Sequence, residues 1–148
     1  SWFRTTMTST AGPLVIKGKD TGSSGQGGWQ LDIGYSYASP GLGQVIFHAS
    51  NGGWNQVLSP NTYNDGNWHF AAGVWDGSTM YVYVDGTLKS STAFSGPIVT
   101  NGQRIMIGQS PVITSPTTDK ATGSIDDVRI YNRAFSAAEI MALYNATK

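Results

Sequence analysis

The chemistry open to this 148-residue chain is bounded by nine acidic residues, two histidines and no cysteine. Its one glutamate, Glu139, follows Ser136 at the spacing of a capping box, in which each side chain satisfies the other's backbone amide. Asp65, Asp76 and Asp85 each precede a glycine, and Asp-Gly is a turn-forming pair. Asp32 stands without an evident partner on the strand-like run from Trp29 to Tyr35. Hydrolysis of a glycoside generally needs two carboxyl groups flanking the bond, one protonated and one ionised, and no such pair stands out. His48 and His69 accompany no Gly-x-Ser-x-Gly elbow, so no nucleophilic triad is spelled. His69 reads as a packed, hydrogen-bonded residue of a covered strand, whereas His48, near the end of the run from Gln44 to Ala49, could face a ligand, though one histidine alone defines no site. Without cysteine there is neither a disulfide nor a thiolate metal site. The residues read as those of a non-enzyme.

Aromatic and amide side chains carry more. Sugars present apolar C–H faces ringed by hydroxyls, so a site for them wants exposed aromatic planes beside Asn, Gln, Asp or His. Trp29, Tyr35, Tyr37, Trp54, Asn55, Gln56, Tyr63 and Asn64 offer that mixture. Asn51-Gly52-Gly53-Trp54-Asn55 places a tryptophan just after a tight turn. The expected carbohydrate contacts are Trp29, Tyr35, Asn51, Trp54, Asn55, Tyr63, Tyr81 and Tyr83. A tryptophan in a β protein also serves as core filler, which is the role expected of Trp68, and Tyr81 and Tyr83 either line a concave face or rest beneath a covering loop.

The elements that would hold these groups are strands. Nineteen glycines and many Ser, Thr and Asn suit short strands joined by tight turns. The stretch from Asp65 to Gly86 spells two apolar strands fenced by three Asp-Gly pairs, as in a hairpin. Its first run, Trp68 to Trp75, is apolar in both phases and is expected to be covered on both sides. In the second, Met80, Val82 and Val84 share a core face and Tyr81 and Tyr83 the other. Further strands are expected at Ser1 to Thr6, Leu14 to Lys17, Gly28 to Tyr35, Gly43 to Ala49, Trp54 to Leu58, Ala93 to Phe94, Arg104 to Gly108 and Ser124 to Tyr131. Pro111 to Thr122 has no periodic apolar pattern and reads as disordered. The capping box at Ser136 opens a short helix with Ile140, Leu143 and Tyr144 on one face, expected to pack against an end of a sandwich.

Charged residues are 12% of the chain, nine basic against nine acidic, so no basic stripe exists for nucleic acid. No apolar run approaches about 18 residues, so no membrane span is expected. Ser1-Trp2-Phe3-Arg4 opens inside a strand-like stretch, so no signal peptide is expected there, and a surface rich in Ser, Thr, Asn and Gly suits an exported protein.

Two segments together resemble the laminin-G-like branch of the concanavalin A-like jelly rolls, especially its large bacterial group: Asp65-Gly66-Asn67-Trp68-His69 through Val82-Tyr83-Val84-Asp85-Gly86, and Gly123-Ser124-Ile125-Asp126-Asp127-Val128-Arg129-Ile130-Tyr131 through Ser136. The resemblance implies an all-β, two-sheet antiparallel jelly-roll sandwich with a short C-terminal helix, one domain over residues 1–148. In that family a further strand or two precedes the Ser1 equivalent, the first lying beside the closing strand. This implies either a trimmed portion of a larger protein or an open edge that a partner strand could occupy. Relatives often hold a structural calcium through the Asp that opens the closing strand, here Asp126. The residues themselves also allow Asp126 and Asp127 to bond turn amides or pair with Arg129 and Arg133. The function expected is a non-catalytic, extracellular or cell-surface recognition module for carbohydrate. The alternative is a structural or adhesive domain that decorates a filament, envelope or virion through contacts with a surface protein. The fold also hosts glycosidases, a reading left only if acidic residues lie on other segments.

Overall fold

The computed structural model describes residues 1–8, 12–18, 27–36, 39–99, 102, 104–110 and 120–148, with Tyr35 and Trp54 among the residues described by backbone alone. Tyr37 and most of the stretch from Pro111 to Thr122 lie outside the described residues. Ten strands pair into two antiparallel five-stranded sheets of a jelly-roll sandwich. One sheet runs β10 (Ser124–Asp126), β1 (Trp2–Arg4), β6 (Trp68–Trp75), β7 (Thr79–Val84), β8 (Thr87–Ala93); the other runs β5 (Trp54–Thr62), β4 (Ser39–Ser50), β3 (Gly28–Ser36), β2 (Gly12–Lys17), β9 (Ile105–Ile107).

The hairpin forms as its sequence dictates. Met80, Val82 and Val84, in one phase of β7, are each 0% exposed and meet Phe3, Leu31, Val45 and Phe47 in the core between the sheets. Asp85 and Gly86 both take positive φ, 52° and 76°, as a two-residue type I′ connection between β7 and β8 requires. The neighbouring phase of the sheet faces a second apolar cluster of Phe70, Val74, Tyr83 and Ile140, with Leu143 and Tyr144 packed on it. β6 is therefore covered on both sides: Ala71 belongs to the first cluster, Phe70 and Val74 to the second.

The helix α1 (Ala137–Thr147) starts at the expected cap, with the Glu139 amide donating to Ser136 Oγ and the Ser136 amide to Glu139 Oε2. It lies on the outer face of the β6–β7 sheet, not at an end of the sandwich, because Phe70, Val74 and Tyr83 give it an apolar bed there. Trp68 is not core. At the start of β6, beyond the bed that α1 covers, it is 42% exposed with the Arg4 guanidinium 5.3 Å from its ring centroid. Two strands also differ from the sequence expectation. β8 covers Thr87–Ala93, a polar edge strand without an apolar phase to announce it. The closing ladder stops at Asp126, since Asp127 adopts φ 48° and turns the chain out of register.

Candidate functional site

The outer face of the β2–β5 sheet carries a row of polar side chains that the strand phase forces together. Leu31, Ile33, Val45 and Phe47 point into the core, so Gln30, Asp32, Ile46 and His48 take the opposite face. Gln30 pairs with His48, and His48 with Gln56, which aligns an amide, an imidazole and a second amide across three strands. Asp32 lies one step along, its Oδ2 accepting from Gln30 Nε2 at 2.7 Å and standing 3.3 Å from His48 Nε2. The Asp32 side chain is 5% exposed and that of His48 15%. Among the described residues Asp32 Oδ1 has no hydrogen-bond partner. A buried acceptor left unsatisfied costs about 1–3 kcal/mol, and this oxygen lies out of contact with solvent. The sequence reading left Asp32 without a partner; the signal available was the i, i+2 spacing of Gln30 and Asp32, which sets them on one face of a strand.

The expected carbohydrate contacts do not converge on one place. Tyr63 and Tyr83 are 8% and 5% exposed. Both belong to apolar clusters, so neither offers an open ring face, which corrects the expectation for these two. Tyr81 is half-buried against the helix cluster and its hydroxyl donates to Asp76 Oδ2 at 2.9 Å. Trp29 packs against the main core. Asn51 and Asn55 organise the turn between β4 and β5: Asn51 Nδ2 donates to the Ser95 carbonyl, and Asn55 Nδ2 to the Gly53 carbonyl and Asn51 Oδ1. Trp54 opens β5 opposite Ser50 and stands two residues before Gln56, in the same phase of the strand. Tyr35 lies near the far end of β3.

The three turn aspartates are scaffold. Asp65 is held at about 2, below the ordinary carboxylate range, first by the Asn67 amide; Asp76 is also lowered to about 2, first by the Ser78 amide. Asp85 accepts from the Phe70 amide and lies 2.9 Å from His69 Nδ1, while His69 Nε2 lies 3.1 Å from Asp65 Oδ1. His69 thus ties two turns together, with the Tyr63 ring edge-on at 5.1 Å. Glu139 is lowered to about 2, first by its hydrogen bond from Arg133 and then by the Ser136 cap.

Asp126, the expected calcium ligand, is engaged within its own turn. Its Oδ1 accepts from the Asp127 amide, and Asp127 is paired with Arg129 Nε at 2.8 Å. No group of three or more His, Cys, Asp or Glu among the described residues converges on a metal position. A cavity of about 530 Å³ opens between β6 and the segment 127–135, floored by Val15, Leu31 and Phe47.

Two facing antiparallel five-stranded sheets define a jelly-roll sandwich. The chain belongs to the laminin-G-like family of the concanavalin A-like lectin/glucanases superfamily, whose model matches residues 1–141. No curated protein matches the sequence. Among solved structures it is similar to the CBM40 domain of the Ruminococcus gnavus IT-sialidase bound to alpha2,3 sialyllactose, with TM-score 0.75 and 17% identity over 97% of this chain and 79% of that one. The same domain bound to alpha2,6 sialyllactose gives TM-score 0.71 and 18% identity over the same shares. A heptameric SAP-like pentraxin from Limulus polyphemus gives TM-score 0.67 and 15% identity over 97% of this chain and 66% of that one. At these identities the likeness establishes the fold. No helix among the described residues is long and apolar enough to cross a membrane.

Proposed function

We propose that the chain is a non-catalytic carbohydrate-binding domain of an extracellular or cell-surface protein, and that the glycan is held on the face bearing Gln30, Asp32, His48 and Gln56. The observation that carries this reading is the Asp32 carboxylate, whose Oδ2 is engaged by Gln30 and His48 while Oδ1 has no partner among the described residues. Asp32 is buried, so its proposed part is to orient Gln30 and His48, and the amides and imidazole on this face, which can donate and accept, are proposed to meet the sugar hydroxyls. Trp54, in phase with Gln56, is the aromatic residue proposed to complete the site. The solved carbohydrate-binding relatives support a glycan as the class of ligand. One carboxylate beside one imidazole orients hydroxyls; it lacks the paired carboxyl groups of glycoside hydrolysis.

The test is a glycan array probed with the parent chain, Asp32→Ala and Trp54→Ala, each checked for an unchanged near-UV spectrum and melting temperature. Binding that falls at least about tenfold in both folded variants, equivalent to ~1.4 kcal/mol, supports the site. Glycan binding by the parent that both variants retain would place the ligand elsewhere.

A further inference from the structure

The outer face of the β6–β7 sheet is only partly roofed by α1. Trp2 stands opposite both Asp126 and Phe70, and Arg4 opposite Trp68, so strand phase puts these five side chains on that one face. The helix cluster takes in Phe70 but not Trp68, which is 42% exposed. Beside the last turn of α1 a cleft of about 430 Å³ is bordered by Trp2, Trp68, Tyr144, Asp126, Asp127 and Thr147. Small-molecule pockets run from roughly 300 to 1,000 Å³, so the space suits a ligand of one or two rings.

One wall of the cleft is aromatic and fixed. The Trp2 ring stacks on Tyr144 with centroids 5.5 Å apart and 27° between planes, and Trp2 Nε1 donates to Thr147 Oγ1 at 2.9 Å. Trp68 contributes a second indole, with the Arg4 guanidinium 5.3 Å from its ring centroid and no acceptor for its Nε1–H among the described residues. Asp126 commits Oδ1 to the Asp127 amide, and its Oδ2 has no partner among the described residues. Ring planes, an open donor and an open acceptor thus share one recess.

Those groups select the ligand. An organic cation would meet Arg4 at Trp68 and Lys148, whose ammonium lies 5.6 Å from the Tyr144 ring centroid. An anion would meet Asp126 and Asp127. A neutral molecule with apolar C–H faces and a rim of hydroxyls engages the rings, the indole donor and the carboxylate together and meets neither repulsion.

We propose that this cleft is a second saccharide site, that it takes a neutral sugar, and that the sugar rests on Trp68 while Asp126 Oδ2 accepts from one of its hydroxyls. The face bearing Gln30 and His48 belongs to the other sheet, so the two sites look outward from opposite sides of the sandwich. One domain can then hold two glycans at once, which raises avidity wherever both are within reach. The inference goes beyond the proposed function, because the cleft binds whether or not the other face does.

The test is a titration followed by the indole N–H signals of the five tryptophans in proton–nitrogen correlation spectra. Lactose, maltose, cellobiose and diacetylchitobiose are each added to about 20 mM, enough to register millimolar affinity. Saturable shifts of the Trp68 and Trp2 signals are expected with at least one of them. Trp68→Ala, with its α1 amide signals in place, is expected to weaken the affinity read at Trp2 at least about tenfold. Asp126→Asn, whose Oδ1 still accepts from the Asp127 amide, should weaken it at least about threefold through loss of a charge-assisted bond. Asp32→Ala is expected to leave the titration unchanged, which keeps this site distinguishable from the one on the other sheet. Four sugars that move neither indole signal would overturn the proposal. So would shifts produced by tetramethylammonium chloride and by none of the sugars, or a Trp68 shift abolished in folded Asp32→Ala.

Discussion

Gly73→Ala tests the packing that holds the two sheets together. Gly73 lies mid-strand in β6, and a Cβ built there would stand 2.5 Å from both Cδ2 and Cγ of Phe47 on the facing sheet. Carbon atoms pack at about 3.5–4.0 Å, so ring or backbone must yield by roughly 1 Å. Phe47 is only 6% exposed and is part of the core between the sheets, which leaves the ring little room to move. Overpacking of this kind costs about 1–3 kcal/mol, and relief of the glycine's own entropic penalty returns about 0.5–1 kcal/mol. The net loss expected is about 1 kcal/mol, a fall in melting temperature of ~2–4 °C for a domain of this size. Differential scanning calorimetry of Gly73→Ala, Phe47→Leu and the double variant measures it. The smaller side chain should absorb the methyl, giving a coupling of at least about 1 kcal/mol. Gly53→Ala, where nothing lies within 4 Å of the added atom, serves as a control expected to stay within about 0.5 kcal/mol. A Gly73→Ala chain as stable as the parent would refute the reasoning.

Other outcomes follow from the same contacts. Phe70→Ala, at 3% exposure beneath α1, should lose about 3–5 kcal/mol, whereas exposed Trp68→Ala should lose less than about 1 kcal/mol; urea denaturation compares them, and equal losses would contradict the placement of Trp68. Ser136→Ala removes the α1 cap and should cost about 1 kcal/mol, measured in the same titration. Asp65, Asp76 and Glu139 are each lowered to about 2 from ordinary values of 3.8, 3.8 and 4.5. The unfolded chain therefore binds more protons between those values, and stability present above about pH 4.5 is lost as pH falls toward 2. Melting curves from pH 5 to pH 2.5 should show the fall, and Asp76→Asn should flatten it; a profile identical in the variant would remove Asp76 from that account. The expected calcium at Asp126 is tested by melting with calcium and with a chelator: a native-state ligand stabilises by mass action, so a transition lowered by the chelator would support the site and an indifferent one would remove it.

How much of this was legible in the residues depended on whether neighbours in sequence or neighbours in space decided the outcome. The turns at Asp65, Asp76 and Asp85, the phase of Met80, Val82 and Val84, and the Ser136 cap are local, and each appears where the sequence placed it. Trp68 was misread because hydrophobicity and strand phase say nothing about where α1 stops covering the sheet. The helix lay on a face instead of an end for the same reason: its bed of Phe70, Val74 and Tyr83 is assembled from two strands. β8 was displaced because Thr87–Ala93 carries no apolar phase, and an edge strand needs none. At the candidate site the aromatic residues were conspicuous in the sequence, yet Tyr63 and Tyr83 are consumed by the core. Asp32 and His48 were visible singly, and only the register of β3 against β4 brings them together.

The central claim is that the face bearing Asp32 binds a glycan, and isothermal titration of the strongest array ligand into the parent chain and into Asp32→Asn tests it most directly. The substitution keeps the shape and the Gln30-side acceptor while removing the charge, and the account predicts an affinity reduced at least about tenfold with an unchanged melting temperature within about 2 °C. Equal affinity in the two proteins, or a folded parent that binds no glycan on the array, would contradict it.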